Sequence, residues 1–561
     1  MVRAKTGTGN YGMIPIDFAY NLPFRLTVGV TGHRKLKETE NLRRSIQEVI
    51  GKILSMYPGS RRTQVKTAVL SPLAEGADRM VVTEILKTFP DAVLKAVLPI
   101  SHSDYLEDFE TETSRDAFLR LLHTARNPLY LREKSIQEEY PEKLCREARR
   151  LAYEEAGRFV VDHCDVLIAL WDGKPAHSRG GTAQIVQYAR DQECPLFIIS
   201  TDNPTPIAFE KGSEVSKKLC RALDNFNKRI HDTPPDPDYM ENQFKLLFGT
   251  PSSGSVPEET RRLIRKYLIP YYLITSSLAK RYQSTYRRVG LGVFWMAFVS
   301  VFVVGLGVIF FNSHPAVFLI EFLFLGLISL LILWANRIRS HKNWMEHRFL
   351  AERLRSTFFF AACHTEITPI HVNRRSIVDQ TSAWTLIALD EIWNLMPRQT
   401  GCDEQSCRSL GEFVVKAWID DQITYHREQV HRTSKKKSRR LERFGEAVFF
   451  TALSVALIHA IWGLFSGAFH ESKLARFLTL AALTLPAMGA MAEAIRTHRE
   501  YKRLAIRSKR MVVELNDAKA AFQLLTPDKL DRLLRRTEQV MIRETQEWLD
   551  LMSFAELYRT I

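Results

Sequence analysis

Cysteine is scarce and odd in number, seven in 561 residues at positions 145, 164, 194, 220, 363, 402 and 407. That excludes the paired framework of a small secreted domain and fits a reducing compartment. Cys402 and Cys407 flank Asp-Glu-Gln-Ser without a second pair at zinc-site spacing. They read as loop residues, with a redox pair or two metal ligands as the alternatives. The first 23 residues lack an apolar run of signal-peptide length, so the soluble part is expected to stay in the cytosol. Acidic residues are in deficit, 63 Asp and Glu against 78 Lys and Arg, for a net charge of +15. This balance favours an anionic partner: nucleic acid, anionic lipid or a small anion. Neither disorder nor a collagen repeat fits a chain that is 45% hydrophobic and 10% aromatic.

The apolar residues are concentrated in four blocks near 289–311, 316–335, 447–469 and 477–492. The first and third are 23 uncharged residues each, about 34 Å as helix against a hydrocarbon core of about 30 Å. The second carries one charge, Glu321; the fourth has 16 uncharged residues and Pro486. It reads as a crossing helix, with a packed or re-entrant helix as the alternative. Arginines and lysines crowd the outer ends of both helical hairpins, at 281, 287 and 288, 337–342, 435–443 and 496–503, while the hairpin tips hold one lysine. The positive-inside bias then places the long segments and both terminal regions in the cytoplasm. The basic clusters also suit anionic lipid, so no nucleic acid polymer is needed to account for the charge. Glu321 and His459, ionisable groups inside spans, are pore candidates; snorkelling of Glu321 and a neutral His459 are the alternatives.

Residues 24–200 alternate β-branched runs with helical periodicity, the rhythm of a Rossmann-like α/β domain. Strands are predicted at 25–30, 65–70, 92–98, 166–171 and 196–200, with helices at 40–56, 77–87, 145–163 and 182–191. The expected organisation is a soluble domain at 1–204, a helical connector at 205–288, a first transmembrane hairpin at 289–336, cytosolic helices at 337–443, a second hairpin at 444–495, and C-terminal helices at 496–561. The fold class is thus an α/β cytosolic domain joined to an all-α four-span domain. The connector's helix, at 258–288, carries Tyr267, Tyr271, Tyr272, Tyr282 and Tyr286.

Four phrases fall at the carboxyl ends of the predicted strands, where loops and helix starts expose backbone N–H groups to anions. Gly29-Val-Thr31-Gly32-His33-Arg34 follows the first. It has no Lys-Ser/Thr of a P-loop and no third glycine of the dinucleotide fingerprint, and a tight structural turn is the alternative reading. Ser71 to Arg79 contains Glu75, Gly76, Asp78 and Arg79; the acids suit ribose hydroxyls, or Asp78 suits first-turn capping. Trp171-Asp172-Gly173-Lys174 and Arg179-Gly180-Gly181-Thr182 supply a second glycine-rich helix start.

The combination TGHR, SPLAEGADR, WDG and RGGT resembles the SLOG superfamily of nucleotide-recognising domains over about 24–200. The resemblance implies a nucleotide-type ligand held by these four phrases, with no other cofactor and no metal. The hydrolase branch of that family carries a proline before its glycines and a catalytic Glu three residues after the Thr. Here that position is Ile185 and the proline is missing, so binding without catalysis is expected, with Glu75 or Asp172 as the alternative acid for hydrolysis. Trp344, Arg348, Ala351, Glu352 and Leu354, then Asp421, Gln422 and Tyr425, and the ending Glu544, Glu547, Trp548 resemble SLATT-type membrane modules. Arg348-Phe-Leu-Ala351-Glu-Arg353 and Lys502-Arg-Leu-Ala505-Ile-Arg507 suggest a repeat of hairpin plus helix. Together the resemblances imply a bacterial inner-membrane defence effector. It would answer a nucleotide messenger from a partner enzyme and act as a homo-oligomer; a membrane-anchored nucleotide or NAD hydrolase is the alternative.

Overall fold

A computed structural model describes residues 21–125, 128–132, 134–175, 179–233, 236–249, 254–311, 315–365, 383–397, 404–465, 472–499 and 501–557. The expected first hairpin tip at 312–314, Cys402 and the end of the third apolar block lie outside them, as do the side chains of Lys502, Glu544, Glu547 and Trp548. The described chain forms two compact units. One contains the residues up to 233 and again 383–391; the other contains 236–365 and everything from 392 onward.

The first unit is a seven-stranded sheet of β1 (Phe24–Gly32), β2 (Val65–Ser71), β3 (Val93–Leu98), β4 (Leu129–Tyr130), β5 (Val166–Trp171), β6 (Leu196–Ser200) and β7 (Ala208–Glu210). Their order is β4-β3-β2-β1-β5-β6-β7, and every neighbouring pair is parallel except β6 with β7. Val28, Val30, Leu167 and Ile168 are all buried, as strands covered on both faces require. The helices of this unit are α1 (Glu40–Met56), α2 (Ala77–Thr88), α3 (His102–Leu106), α4 (Glu112–Thr124), α5 (Ile136–Glu139), α6 (Glu142–His163), α7 (Thr182–Asp191) and α8 (Val215–Asp232). Thr39 and Thr111 cap α1 and α4 by accepting from N–H groups three residues on.

The chain runs outward from β1 to β4, then returns through α6 to add β5 on the other side of β1. That reversal opens a crevice between the β1 and β5 loops, the place where open α/β sheets receive ligands. All five expected strands are present, within two residues at each end. β4 and β7 are additions of two and three residues, too short for any periodicity to register.

The second unit is helical: α9 (Pro237–Phe248), α10 (Glu258–Tyr267), α11 (Ile269–Phe310), α12 (Pro315–Ile338), α13 (Ser340–Ala362), α14 (Ala383–Leu395, its last turn in this unit), α15 (Glu404–Val414), α16 (Asp421–Thr424), α17 (Thr433–Phe465), α18 (Lys473–His498), α19 (Tyr501–Phe522) and α20 (Pro527–Leu557). Wider π-helical turns at Val415–Asp420 and Tyr425–Arg432 flank α16. The single helix expected at 258–288 is broken at Leu268, where Pro270 supplies no N–H to continue the preceding turn and instead stands in the first turn of the next helix. Beyond that break α11 continues for 42 residues, about 63 Å, and joins four of the five tyrosines rigidly to the first apolar block.

Four helices are long and apolar enough to cross a membrane. On α12 no residue is buried, and Phe318, Phe322, Leu330 and Leu333 are largely exposed, a surface that water does not accommodate. α18 is continuous through Pro486, so the fourth block is a full-length helix. Where α11 meets its neighbours it presents Gly305 to Leu480 and Leu483, and Gly307 to Val317; a methyl at Gly307 would overlap Val317. Small residues at such contacts let apolar helices approach closely.

Within the sheet unit, the third turn of α14 is fastened to β1 by a two-pronged ion pair, Arg25 Nε and a terminal nitrogen donating to the two Glu391 oxygens at 2.7 Å each. Glu391 is only 3% exposed. Removing one member strands a buried charge at a cost of about 3 kcal/mol. Arg25→Met should therefore lower the urea midpoint of the detergent-solubilised chain, and adding Glu391→Leu should restore most of it. A single variant as stable as the parent would refute this role.

Candidate functional site

The loops after β1, β2 and β5 open on the same edge of the sheet because the three strands are parallel. Not every predicted residue reaches that edge. Gly29 lies inside β1, where a side chain would overlap Val160 and Cys164 of α6; it serves helix-on-sheet packing. Thr31 is a half-buried strand residue paired with Ala169. Gly32 ends the strand and admits the start of α2, since a methyl there would overlap the Ala77 side chain.

Gly76 carries the closest approach. Its φ is +76°, and a Cβ would overlap the carbonyls of His33 and Arg34, so glycine is required on both counts. The following N–H, of Ala77, donates to the His33 carbonyl at 3.1 Å. The β2 loop is thereby fused to the β1 turn. It is braced from within: Leu73 N–H donates to Ser71 Oγ, Tyr105 Oη–H to the Pro72 carbonyl at 3.0 Å, and Ala74 N–H to Asp78 Oδ2 at 3.2 Å. Leu73, fully buried, is held at φ +62°, a conformation that persists only when its surroundings impose it.

These contacts assign separate roles to the acidic and basic residues of the second phrase. Asp78 is buried and turned toward its own loop. Burial pushes its carboxyl up to about 7, against the opposing pull of the Ala74 N–H, Ser71, Arg34 and Arg79. Glu75 accepts from the Ser114 hydroxyl on α4. Arg79 donates from Nε to the Leu73 carbonyl at 3.1 Å and from Nη1 to Ser114, and its guanidinium lies 4.4 Å from the Phe109 ring. Its second terminal nitrogen is buried with no hydrogen-bond partner among the described residues. Arg34 rests over Tyr153 of α6 at 4.7 Å, with Asp108 3.8 Å away, and remains 45% exposed.

His33 and Asp172 meet across the switch point. His33 Nε2 is 3.0 Å from Asp172 Oδ1 and 3.1 Å from the Asp172 N–H. One nitrogen cannot serve both at once: unprotonated it accepts from the N–H, protonated it donates to the carboxylate. The Lys174 N–H, followed by His33, holds the half-buried Asp172 carboxyl down at about 2, so the carboxylate stays ionised. Gly173, at φ +81° with open space around it, turns the chain between them.

The fourth phrase is occupied by its own surroundings. Arg179 donates to Glu154 at 2.5 Å and to Glu147 at 3.2 Å on α6. Gly180, at φ +78°, gives its N–H to Gln184 Oε1 at 2.8 Å, and Gly181 and Thr182 begin α7 without a side-chain cap. The structure therefore joins Arg34, Glu75, Gly76, Asp78 and Arg79 into one cluster, links His33 with Asp172 beside it, and ties Arg179 to α6.

A cavity of about 900 Å³ lies against the cluster, lined by the turn from Arg34 to Glu38, Arg43 of α1, Glu75 and Gly76 of the β2 loop, Arg79, Met80 and Thr83 of α2, and Ser114, Ala117, Arg120 and Leu121 of α4. That volume suits a small-molecule ligand. Lys35, Lys37, Arg43, Ser114 and Arg120 were not among the predicted residues. Lys35 and Lys37 directly continue the first phrase and were legible there; Arg120 sits on a helix with no motif to mark it.

Of the pore candidates, His459 Nε2 lies 3.3 Å from Thr479 Oγ1, whose own hydrogen goes to the Ala475 carbonyl; His459 thus bridges α17 and α18. Glu321 is half-buried on α12 and makes no hydrogen bond to another described residue. Glu352 and Gln422, from two of the phrases that resemble SLATT modules, are bridged by Arg355, at 2.6 Å and 3.0 Å respectively. No group of three metal-ligating side chains occurs among the described residues.

Because Asp78's folded-state proton affinity is raised, its contribution to stability is full below about pH 4 and is lost as pH rises through about 7. The melting temperature of Asp78→Asn minus that of the parent should therefore grow from pH 5 to pH 8, as read by scanning fluorimetry. An equal gap at both pH values would disprove the burial. No family model matches the chain, and no curated protein matches it.

Proposed function

We propose that this chain is a bacterial inner-membrane effector of antiviral defence, of the SLOG and SLATT type, in which a nucleotide-derived messenger acts on the membrane helices. The observation that carries the reading is the cationic cavity at the carboxyl ends of β1 and β2 in a parallel sheet, in a chain that also has four membrane-length helices among its described residues. Glycines at the turns, a fixed Arg79 and the His33–Asp172 pair support a nucleotide fitting there, its sugar hydroxyls toward Glu75 or Asp172 and its anionic part toward the arginines. Basic residues beyond both ends of each hairpin support a topology with the soluble regions in the cytoplasm.

The messenger must favour the active arrangement by about 5.5 kcal/mol to drive a full switch. Four helices enclose no wide channel alone, so the active form is a homo-oligomer in which Glu321 and His459 line or flank the path. The test is expression of the full chain with a messenger-producing partner enzyme, followed by membrane potential and by mass spectrometry of nucleotide carried through purification. Arg34→Glu should lose the bound nucleotide and the depolarisation while staying in the membrane fraction. Depolarisation unchanged in that variant would sink the reading.

The His33–Asp172 pair favours a second reading, a membrane-anchored nucleotide or NAD hydrolase, since an ionised carboxylate set against an imidazole is a common general-base arrangement. In that case the purified full chain turns nucleotide over, and His33→Gln abolishes turnover while leaving nucleotide binding within about threefold.

A further inference from the structure

We infer that the cavity between α2 and α4 is an oligophosphate subsite, so that the ligand carries at least two phosphates and sits with them toward α4 rather than at the start of α7. This rests on reading the crevice as a nucleotide site and specifies the ligand's charge and orientation within it.

The charge balance comes first. Arg34, Lys35, Lys37, Arg43, Arg79 and Arg120 line the cavity with only two carboxylates, Glu38 and Glu75. Arg43 is committed, with Glu84 at 2.9 Å and Glu38 beside it. Lys35, Lys37 and Arg120 have no carboxylate within ion-pairing distance among the described residues. A single phosphate ester brings a charge of about −1.5 to −2, too little to balance this excess. Two or three linked phosphates match it, and their spacing lets one ligand reach both the β1 turn and α4.

The second observation is Arg79. Its Nε and Nη1 are fixed by the Leu73 carbonyl and by Ser114, and the ring of Phe109 supports its plane, yet Nη2 is buried without a partner. A buried unpaired donor is costly, and with Nε and Nη1 engaged a single nitrogen, Nη2, is left to donate to an anion, a charge-assisted bond from a guanidinium that is already held in place.

The third is the state of the competing position. At α7 the phrase that would ordinarily take a phosphate has Arg179 neutralised by Glu154 and Glu147 and the Gly180 N–H given to Gln184. A ligand phosphate there would have to displace three existing contacts, whereas at the α2–α4 cavity it would displace none made by Lys35, Lys37 or Arg120.

The experiment uses the detergent-solubilised full chain and isothermal titration with inorganic phosphate, inorganic triphosphate, and the mono- and triphosphates of adenosine and guanosine. Triphosphate should bind at least tenfold more tightly than phosphate, with an affinity that falls steeply with salt. The exposed double substitution Lys37→Glu with Arg120→Glu should erase that preference without changing the melting temperature, and Arg179→Gln should keep it. A preference that survives the double substitution, or that vanishes in Arg179→Gln, overturns the inference. If inorganic triphosphate binds through Lys37 and Arg120 but no nucleotide does, the subsite stands and the nucleotide reading falls. If the nucleoside mono- and triphosphates bind equally and the double substitution changes neither, the nucleotide reading stands and the subsite falls.

Discussion

The absence of a side chain at Gly76 is the constraint on which the candidate site depends. It lets the loop after β2 lie directly on the carbonyls of His33 and Arg34, and the Ala77 N–H closes the seam. With that contact the ends of β1 and β2 become one surface. Arg79 is then delivered from the first turn of α2 to the same place that Arg34 reaches from the β1 turn. Any larger residue would separate the two loops, because the obstruction is backbone and cannot rotate away. Ser71, Tyr105 and Asp78 then hold the loop from below, which explains why so many polar groups are spent inside a segment of nine residues.

Much of the sheet unit was legible in the sequence, for a physical reason. Parallel strands buried on both faces must be apolar almost throughout, so runs such as that of β5 cannot be mistaken for solvent-facing segments. The helices α1 and α7 were bounded correctly because a capping Thr39 and the Gly180-Gly181 pair mark where they start. The site was legible as four phrases but not as an arrangement. Sequence spacing did not reveal that Asp78 points into its own loop, that Gly29 serves packing, or that Arg179 is held by Glu154. Each of these turns on what lies across the fold, and α6, which supplies both Tyr153 beneath Arg34 and Glu154 beside Arg179, carried no motif to announce it.

In the helical unit the sequence specified composition better than joints. Apolar blocks long enough to span were evident, yet the break at Leu268 depended on Pro270, and the continuity of α18 through Pro486 depended on neighbouring helices rather than on local preference. The π-helical turns around α16 had no signature at all. They place Trp418 flat against Phe359, with ring centres 4.6 Å apart, and Gln422 within reach of Arg355. Trp418 and Gln422, four residues apart, share one face of this rod, and both grip α13.

Asp78 ties the stability of the loop to the charge in front of it. Arg34 and Arg79 are among the groups that hold its proton affinity down, while burial drives it up to about 7. An anion set against those two guanidiniums weakens their field at Asp78, and the carboxyl then takes up a proton more readily. By reciprocity a protonated Asp78, no longer drawing on the arginines, leaves more of their field for the anion. An anion at these guanidiniums and a proton on Asp78 would therefore each favour the other by the same coupling free energy.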